Sequence, residues 1–351
     1  MPKHITNTGS QSILGDFTAI GNLSATGILY GDGSGLINVG GGGGGSSPFA
    51  AGSTPTSINT ICGANTASGI YSTVNNGCLN TASGIYSTVV NGFSSIASGL
   101  YSTVVNGTSG QATGNYSTVI NGACNLAFGC YSTVNGNSNC AYSAYNTVLN
   151  GIFGRTSGTY SSILGGSSNC ACAVGVNGWA VVVNGTRNRS IACGSGGGWS
   201  TIVNGQCNTT LGYNYTTITQ GLCNTINRSA YSTIDNGQCN RAGGGVVTIC
   251  YMTVNNGFGN LACGSRSTVN NGDCNSARSG YSTVNNGAQN IASSGLYPTV
   301  VNGFFGRATG NYSTVVNGIS GTASGSYSTI NNGLSNIASG YGSTVNNGSG
   351  N

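Results

Sequence analysis

Charge is what this sequence has least of. Asp, Glu, Lys and Arg make up 4% of 351 residues, against roughly 25% in ordinary soluble domains. There is no Glu, one Lys (Lys3), one His (His4) and four Asp (Asp16, Asp32, Asp235, Asp273). General acid–base chemistry draws on His or paired carboxylates, so no catalytic set is present and no enzyme is expected. The 14 Cys include no CxxC pair and have no His partners, so neither a metal site nor a cofactor is expected. The GDGSGL stretch at 31–36 lacks the Lys and the strand–helix setting of a phosphate loop. The net charge of +5 comes from scattered Arg at 155, 187, 189, 228, 241, 266, 278 and 307. Nucleic-acid binders cluster their basic residues and use many Lys; these Arg read as solubilising charges, with no nucleic-acid partner. Long apolar runs are missing too. No stretch of about 20 apolar residues suggests membrane insertion. The N-terminus has no signal-peptide core, so the chain is expected to be made and assembled in a cytoplasm.

What the sequence does have is repetition. The phrase YSTVNNG at 71–77 returns at 281–287, and variants fill the interval. Taking its last Gly as anchor, 18 copies run from Gly77 through Gly92, Gly107 and Gly122 to Gly348, mostly 15 residues apart, with steps of 19 and 20 in the middle. So short a period has no room for a helical hairpin and suits one coil of a β-solenoid. Three residues before the anchor, in every copy but the offset fifth, stands Val or Ile (Val74, Val89, Val104, Val119, Ile163, Val182, Ile202), a β-branched column that predicts an inward-facing strand position. Such ordered columns also argue against disorder. Three residues after the anchor stands almost only Asn or Gly (Asn80, Gly110, Asn125, Asn169, Asn208), read as a left-handed turn. Two residues further an Ala recurs (Ala82, Ala97, Ala127), small enough for a tight interior, and a second Gly turn follows at Gly84, Gly99 and Gly114. The expected coil is a short strand about the Ala, a turn, a longer YSTV strand and an NG turn. Stacked in parallel at about 4.8 Å, 18 coils make a rod on the order of 85 Å long.

The stretch NTASGIYSTVNNGCLNTASGIYSTVVNG (65–92) resembles the head repeat of YadA-type trimeric autotransporter adhesins, and similar repeats occur in tail and surface fibres of phages and large viruses. The resemblance covers 58–351. It implies an all-β fold: a left-handed parallel β-roll, or β-solenoid, assembled as a homotrimeric fibre. Residues 24–39 separately resemble leader strands of virus and phage fibre proteins. The expected organisation is an attachment segment at 1–39, a Gly/Ser-rich linker at 40–57 and a solenoid rod at 58–351. The chain ends in mid-repeat. From that comes the expectation of a fibre cut from a C-terminal chaperone, or of a filament, in preference to an autotransporter with its membrane barrel.

Six residues before the anchor runs an aromatic column: Tyr71, Tyr86, Tyr101, Tyr116, Tyr145, Tyr160, Trp179, Trp199, Tyr215, Tyr231, Tyr251, Tyr281, Tyr297, Tyr312 and Tyr327, interrupted at Arg266 and Gly342. By strand alternation it belongs on the face opposite the Val column, beside the Thr column. Two uses compete: a solvent-facing ridge that stacks on sugars, and a ridge buried between chains of a trimer. The second is preferred, because a thin coil cannot bury so many rings alone. The Cys at 124, 207, 223, 239 and 274 share the slot two after the anchor and substitute for Ser, as small interior or turn fillers in the reduced state.

The irregular zone 167–257 holds both Trp and the Arg187/Arg189 pair. Trp179, Arg187, Arg189 and Trp199 are therefore the candidate ligand zone on longer, protruding turns; the competing reading places both Trp simply in the Tyr column. The functional expectation is a virion or tail fibre on a virion surface. Residues 1–39 dock to the particle, and the rod attaches to a host-surface glycan or receptor. The alternative is a purely structural extracellular filament subunit joined head to tail. An ice-binding solenoid is a third and weaker option, because Tyr would roughen the Thr face.

Overall fold

The computed structural model describes residues 49–51, 58–60, 64–174, 178–193, 198–244 and 251–351. These fall within one compact unit, Ser47–Asn351. The expected leader at 1–39 and the Gly run at 40–45 lie outside the described residues, as do 175–177, 194–197 and 245–250 within the three insertions.

The chain is an all-β parallel solenoid of about 18 turns with no helix among the described residues. Each turn gives one strand to each of two ladders. The first sheet stacks Thr73–Cys78 on Thr88–Phe93, Thr103–Thr108 and Thr118–Ala123. The second stacks Thr66–Ala67 on Thr81–Ala82, Ile96–Ala97 and Gln111–Ala112. Register is set by the core columns. Val74, Val89, Val104, Val119, Val134 and Val148 pair in succession, as do Ala67, Ala82, Ala97 and Ala112. Both columns are buried throughout. Each Val contributes about 1.5–3 kcal/mol of burial, and a one-residue slip would turn it to solvent. Part of the segment read as linker is a strand: Phe49–Ala51 pairs antiparallel with Ile58–Thr60, which begins the first sheet.

The two corners differ from the expected ones. The Asn/Gly slot after the anchor is buried, and its residues do not adopt the left-handed conformation. The left-handed residues lie one position earlier (Leu79, Ser94, Ser109, Cys124, Cys207) and at the Asn before the anchor (Asn76, Asn91, Asn106). The Cys slot is therefore a turn position, not interior. The Asn is selected for its side-chain amide. Asn224 Nδ2 donates to the carbonyls of Gln220 (3.1 Å) and Gly237 (2.9 Å), and its Oδ1 accepts the N–H of Asn240 at 2.9 Å. An amide buried with both ends paired stabilises the corner, and one left open would cost about 1–3 kcal/mol.

Where that slot holds Gly or Ser, the corner takes a second form. Gly92, Gly107, Gly151, Gly303 and Gly318 precede Ser95, Gly110, Gly154, Gly306 and Gly321; all five anchors are buried, and none has a left-handed φ. Anchors followed by Asn, such as Gly77 (φ 96°), Gly185 (φ 97°) and Gly257 (φ 93°), are left-handed and only part-buried. Without an amide to fill the corner, the anchor moves in against the Val methyls; a Cβ on Gly107 would lie 3.0 Å from Val104 Cγ1.

At the other corner, Gly69-Ile70-Tyr71-Ser72 closes a tight turn through the Ser72 N–H to Gly69 carbonyl bond (3.1 Å). Tyr71 occupies its third position at φ 58°, where a turn of this hand ordinarily takes Gly. The tyrosines are thus turn residues, and the first-sheet strand begins two residues later at Thr73. The first residue of the turn is mostly Gly for a different reason, with Ser279 closing the same turn in its coil. A Cβ on Gly84 would overlap the backbone carbonyl of Gly99 in the next coil.

Candidate functional site

The turn aims the Tyr rings of the column outward along one edge of the solenoid. Twelve rings from Tyr71 to Tyr251 form an unbroken stack. Centroids are between 4.7 Å (Tyr86–Tyr101) and 5.5 Å (Trp199–Tyr215) apart, and planes are tilted by at most 25°. A left-handed backbone costs a bulky L-residue about 1–2 kcal/mol. An offset stack returns about 0.5–1.5 kcal/mol per pair, so the two terms nearly offset.

Tyr131 belongs to the stack, between Tyr116 (4.8 Å) and Tyr145 (5.1 Å). Counting back from the anchor misses it, because that copy lacks one residue between Val134 and Gly136; the ladder absorbs the loss as a register shift there. Aligning the copies on YST instead would have found it. Arg266 does not break the column. Its guanidinium lies between the rings of Tyr251 (5.8 Å) and Tyr281 (5.1 Å) and donates to the Tyr281 hydroxyl, a cation–π bridge. Beyond it Tyr281, Tyr297, Tyr312 and Tyr327 stack again, and Tyr341 meets Tyr327 edge-on. Most of the rings are exposed (Tyr71 52%, Tyr116 43%), with Tyr160 and Tyr281 half-buried. Because each face is covered by the next ring, what the column offers a partner is ring edges and hydroxyls.

The irregular zone is built differently. Second-sheet strands lengthen to Cys170–Val174, Arg189–Cys193, Thr209–Asn214 and Thr225–Ala230, so the described part of the extra sequence widens the sheet. A buried hydroxyl chain fills the wider interior: Ser190 Oγ bonds the Ser200 carbonyl (2.7 Å) and Oγ (3.0 Å), and Ser200 Oγ meets Thr210 Oγ1. Trp179 and Trp199 are paired strand residues here, and neither has the left-handed φ of the Tyr turns. They still reach the column: Tyr160–Trp179 and Trp179–Trp199 are each 5.1 Å apart.

The four candidate ligand-zone residues do not converge. Arg187 is a left-handed residue of the corner after the anchor, and Arg189 begins the second-sheet strand; the Trp rings belong to the opposite corner.

Thiols are free wherever they are described. Burial raises the Cys170 and Cys193 pKa values, with Cys172 adding to both. No cluster of three or more His, Cys, Asp or Glu among the described residues is placed to hold a metal. A comparison with family models and with curated proteins finds no match.

Proposed function

We propose that the chain is the rod of a trimeric virion or tail fibre that mediates attachment to a host surface, with three copies packed along their aromatic corners. The observation that carries this reading is the column of ring edges from Tyr71 to Tyr327, one per coil except where Arg266 stands in. Ring faces are occupied by neighbouring rings, which disfavours sugar stacking on the column. A partner that matches it over this length needs the same rise per coil, and another copy of the chain has it. The YadA-like repeat agrees, since that resemblance implies a left-handed roll and a homotrimer. The absence of a His or paired carboxylates from the repeats agrees with a structural role. The head-to-tail filament fares less well, because Phe49–Ala51 already occupies the edge of the first sheet on the Ile58–Thr60 side, the edge such a filament would pair through.

Sedimentation equilibrium and electron microscopy of the purified chain test the proposal. The expected result is a three-chain mass and discrete rods of one length. Monomeric rods or indefinite threads would overturn it.

A further inference from the structure

Register brings together arginines that look scattered in the sequence. Arg155, Arg189, Arg241 and Arg307 each open a second-sheet strand. Strand pairing runs Arg155–Cys170–Arg189–Thr209–Thr225–Arg241–Leu261–Ser276–Ile291–Arg307, so all four stand in a single rank along the outer side of that sheet. All four side chains are exposed.

A fifth arginine joins them. Arg278 Nε donates to Ser276 Oγ at 2.7 Å, which folds its guanidinium back over the rank between Arg241 and Arg307. The Cys263 thiol lies within the fields of both Arg241 and Arg278. Guanidinium groups therefore recur every two or three coils, at intervals of about 10–14 Å for strands spaced 4.8 Å apart. Nothing on this sheet neutralises them: the two aspartates among the described residues, Asp235 and Asp273, belong to the first sheet and its corner. The outward columns of the first sheet, led by the Thr rank, carry no Arg or Lys.

We propose that this rank is a binding face for a linear acidic polysaccharide, one bearing a carboxylate or sulfate about once per two sugar units. The inference deepens the attachment reading by naming the ligand class, and it rests on the rod being a surface-binding protein. Three features of the face select that chemistry. Guanidinium is planar and pairs bidentately with carboxylate or sulfate, and every cation here is Arg. The charges are spaced at intervals comparable with an alternating acidic glycan. They are several-fold sparser than those of a nucleic acid, which carries a charge about every 3.4 Å along each strand. Between the arginines, Thr209 and Thr225 share the rank, half-buried, and supply hydroxyls for a sugar's own hydroxyl groups. A regular array also favours a repeating polymer, since many weak contacts on one chain add through effective concentration.

The experiment measures binding of the full-length chain to heparin, hyaluronan, neutral dextran and a single-stranded oligonucleotide, at two salt concentrations. Two double variants remove equal charge: R189Q/R241Q from the rank, and R187Q/R228Q from residues off it. Wild type is expected to bind one or both acidic polysaccharides and not dextran, and to weaken as salt rises. R189Q/R241Q should weaken binding about tenfold and R187Q/R228Q less than about twofold. Equal losses in both variants, no polysaccharide binding, or tighter binding of the oligonucleotide would each overturn the proposal. Chain mass is read on the same samples. Binding by a monomer would then refute the trimer and leave the rank standing, whereas a trimer that binds no polysaccharide would do the reverse.

Discussion

The regular coils and the wide coils solve the same problem at opposite corners. Regular coils, such as those about Tyr86 and Tyr101, turn back through Gly-X-Tyr-Ser. Wide coils run the second sheet on to Val174 or Cys193 before returning to a Trp in extended backbone. Yet through the wide zone the Asn corner is at its most regular. From Asn169 through Asn188, Asn208, Asn224, Asn240, Asn260 and Asn275 to Asn290, each Oδ1 accepts the backbone N–H of the next Asn without interruption. One corner holds the register and the other absorbs the length. A solenoid with two variable corners would have only its Val and Ala columns to keep neighbouring coils in step.

The largest effect is expected from a change that only regular coils should resist. Gly99→Ala puts a Cβ onto the Gly114 backbone carbonyl. Since backbone and not a flexible side chain is in the way, the loss should be roughly 3–5 kcal/mol. Thermal unfolding with site-resolved hydrogen exchange checks this: opening should centre on the coils flanking Gly99 and leave the wide zone protected. Undiminished protection beside residue 99 would show that the stacking distance at this corner is not limiting.

An intermediate effect separates the two forms of the register corner. Asn224→Ala leaves the buried N–H of Asn240 without its acceptor and should cost about 1–3 kcal/mol. Asn224→Gly removes the same amide but permits the closed corner already seen at Gly107 and Gly110. It should therefore cost less than the Ala variant, despite glycine's greater entropy when unfolded. Denaturant titration of both variants gives the order. If Ala is the milder change, the closed form is not available inside the Asn ladder.

The Val and Ala columns were legible because one physical requirement, a narrow apolar interior, fixes both. The Asn/Gly slot was misread because two different requirements share it, an amide in one corner form and the absence of a Cβ in the other. Tolerance of the left-handed region looked like the common cause and is not. Tyr reads as a strand residue because bulky residues seldom accept a left-handed φ, and strand alternation from the Val column then runs two residues too far. With the rings at the corner and not among Thr73, Thr88 and Thr103, the tyrosines do not roughen the Thr face. The Arg rank was present in the sequence, each member four residues after an anchor (Gly151, Gly185, Gly237, Gly303). Uneven steps through the wide zone hide it until the strands are paired.

The smallest effect is a change of sign between the two regions. Tyr101 holds φ 54° and stacks on Tyr86 and Tyr116. Replacing it by Ala or by Gly loses the same two stacks, but Gly also relieves the left-handed strain. Tyr101→Gly should therefore be more stable than Tyr101→Ala by about 1 kcal/mol. Trp199 loses stacks of the same kind, to Trp179 and Tyr215. Its backbone is extended and paired in a strand, where Gly has no strain to relieve and pays its full entropy, so Trp199→Gly should be less stable than Trp199→Ala by about 0.5–1 kcal/mol. Comparing Ala with Gly at one site cancels the lost ring, and with it any contact the ring makes to another chain. The sign therefore reports backbone conformation alone, whatever the oligomeric state. Melting temperatures of the four variants supply both differences, and the same sign at both sites would mean that Tyr and Trp enter the column on the same backbone.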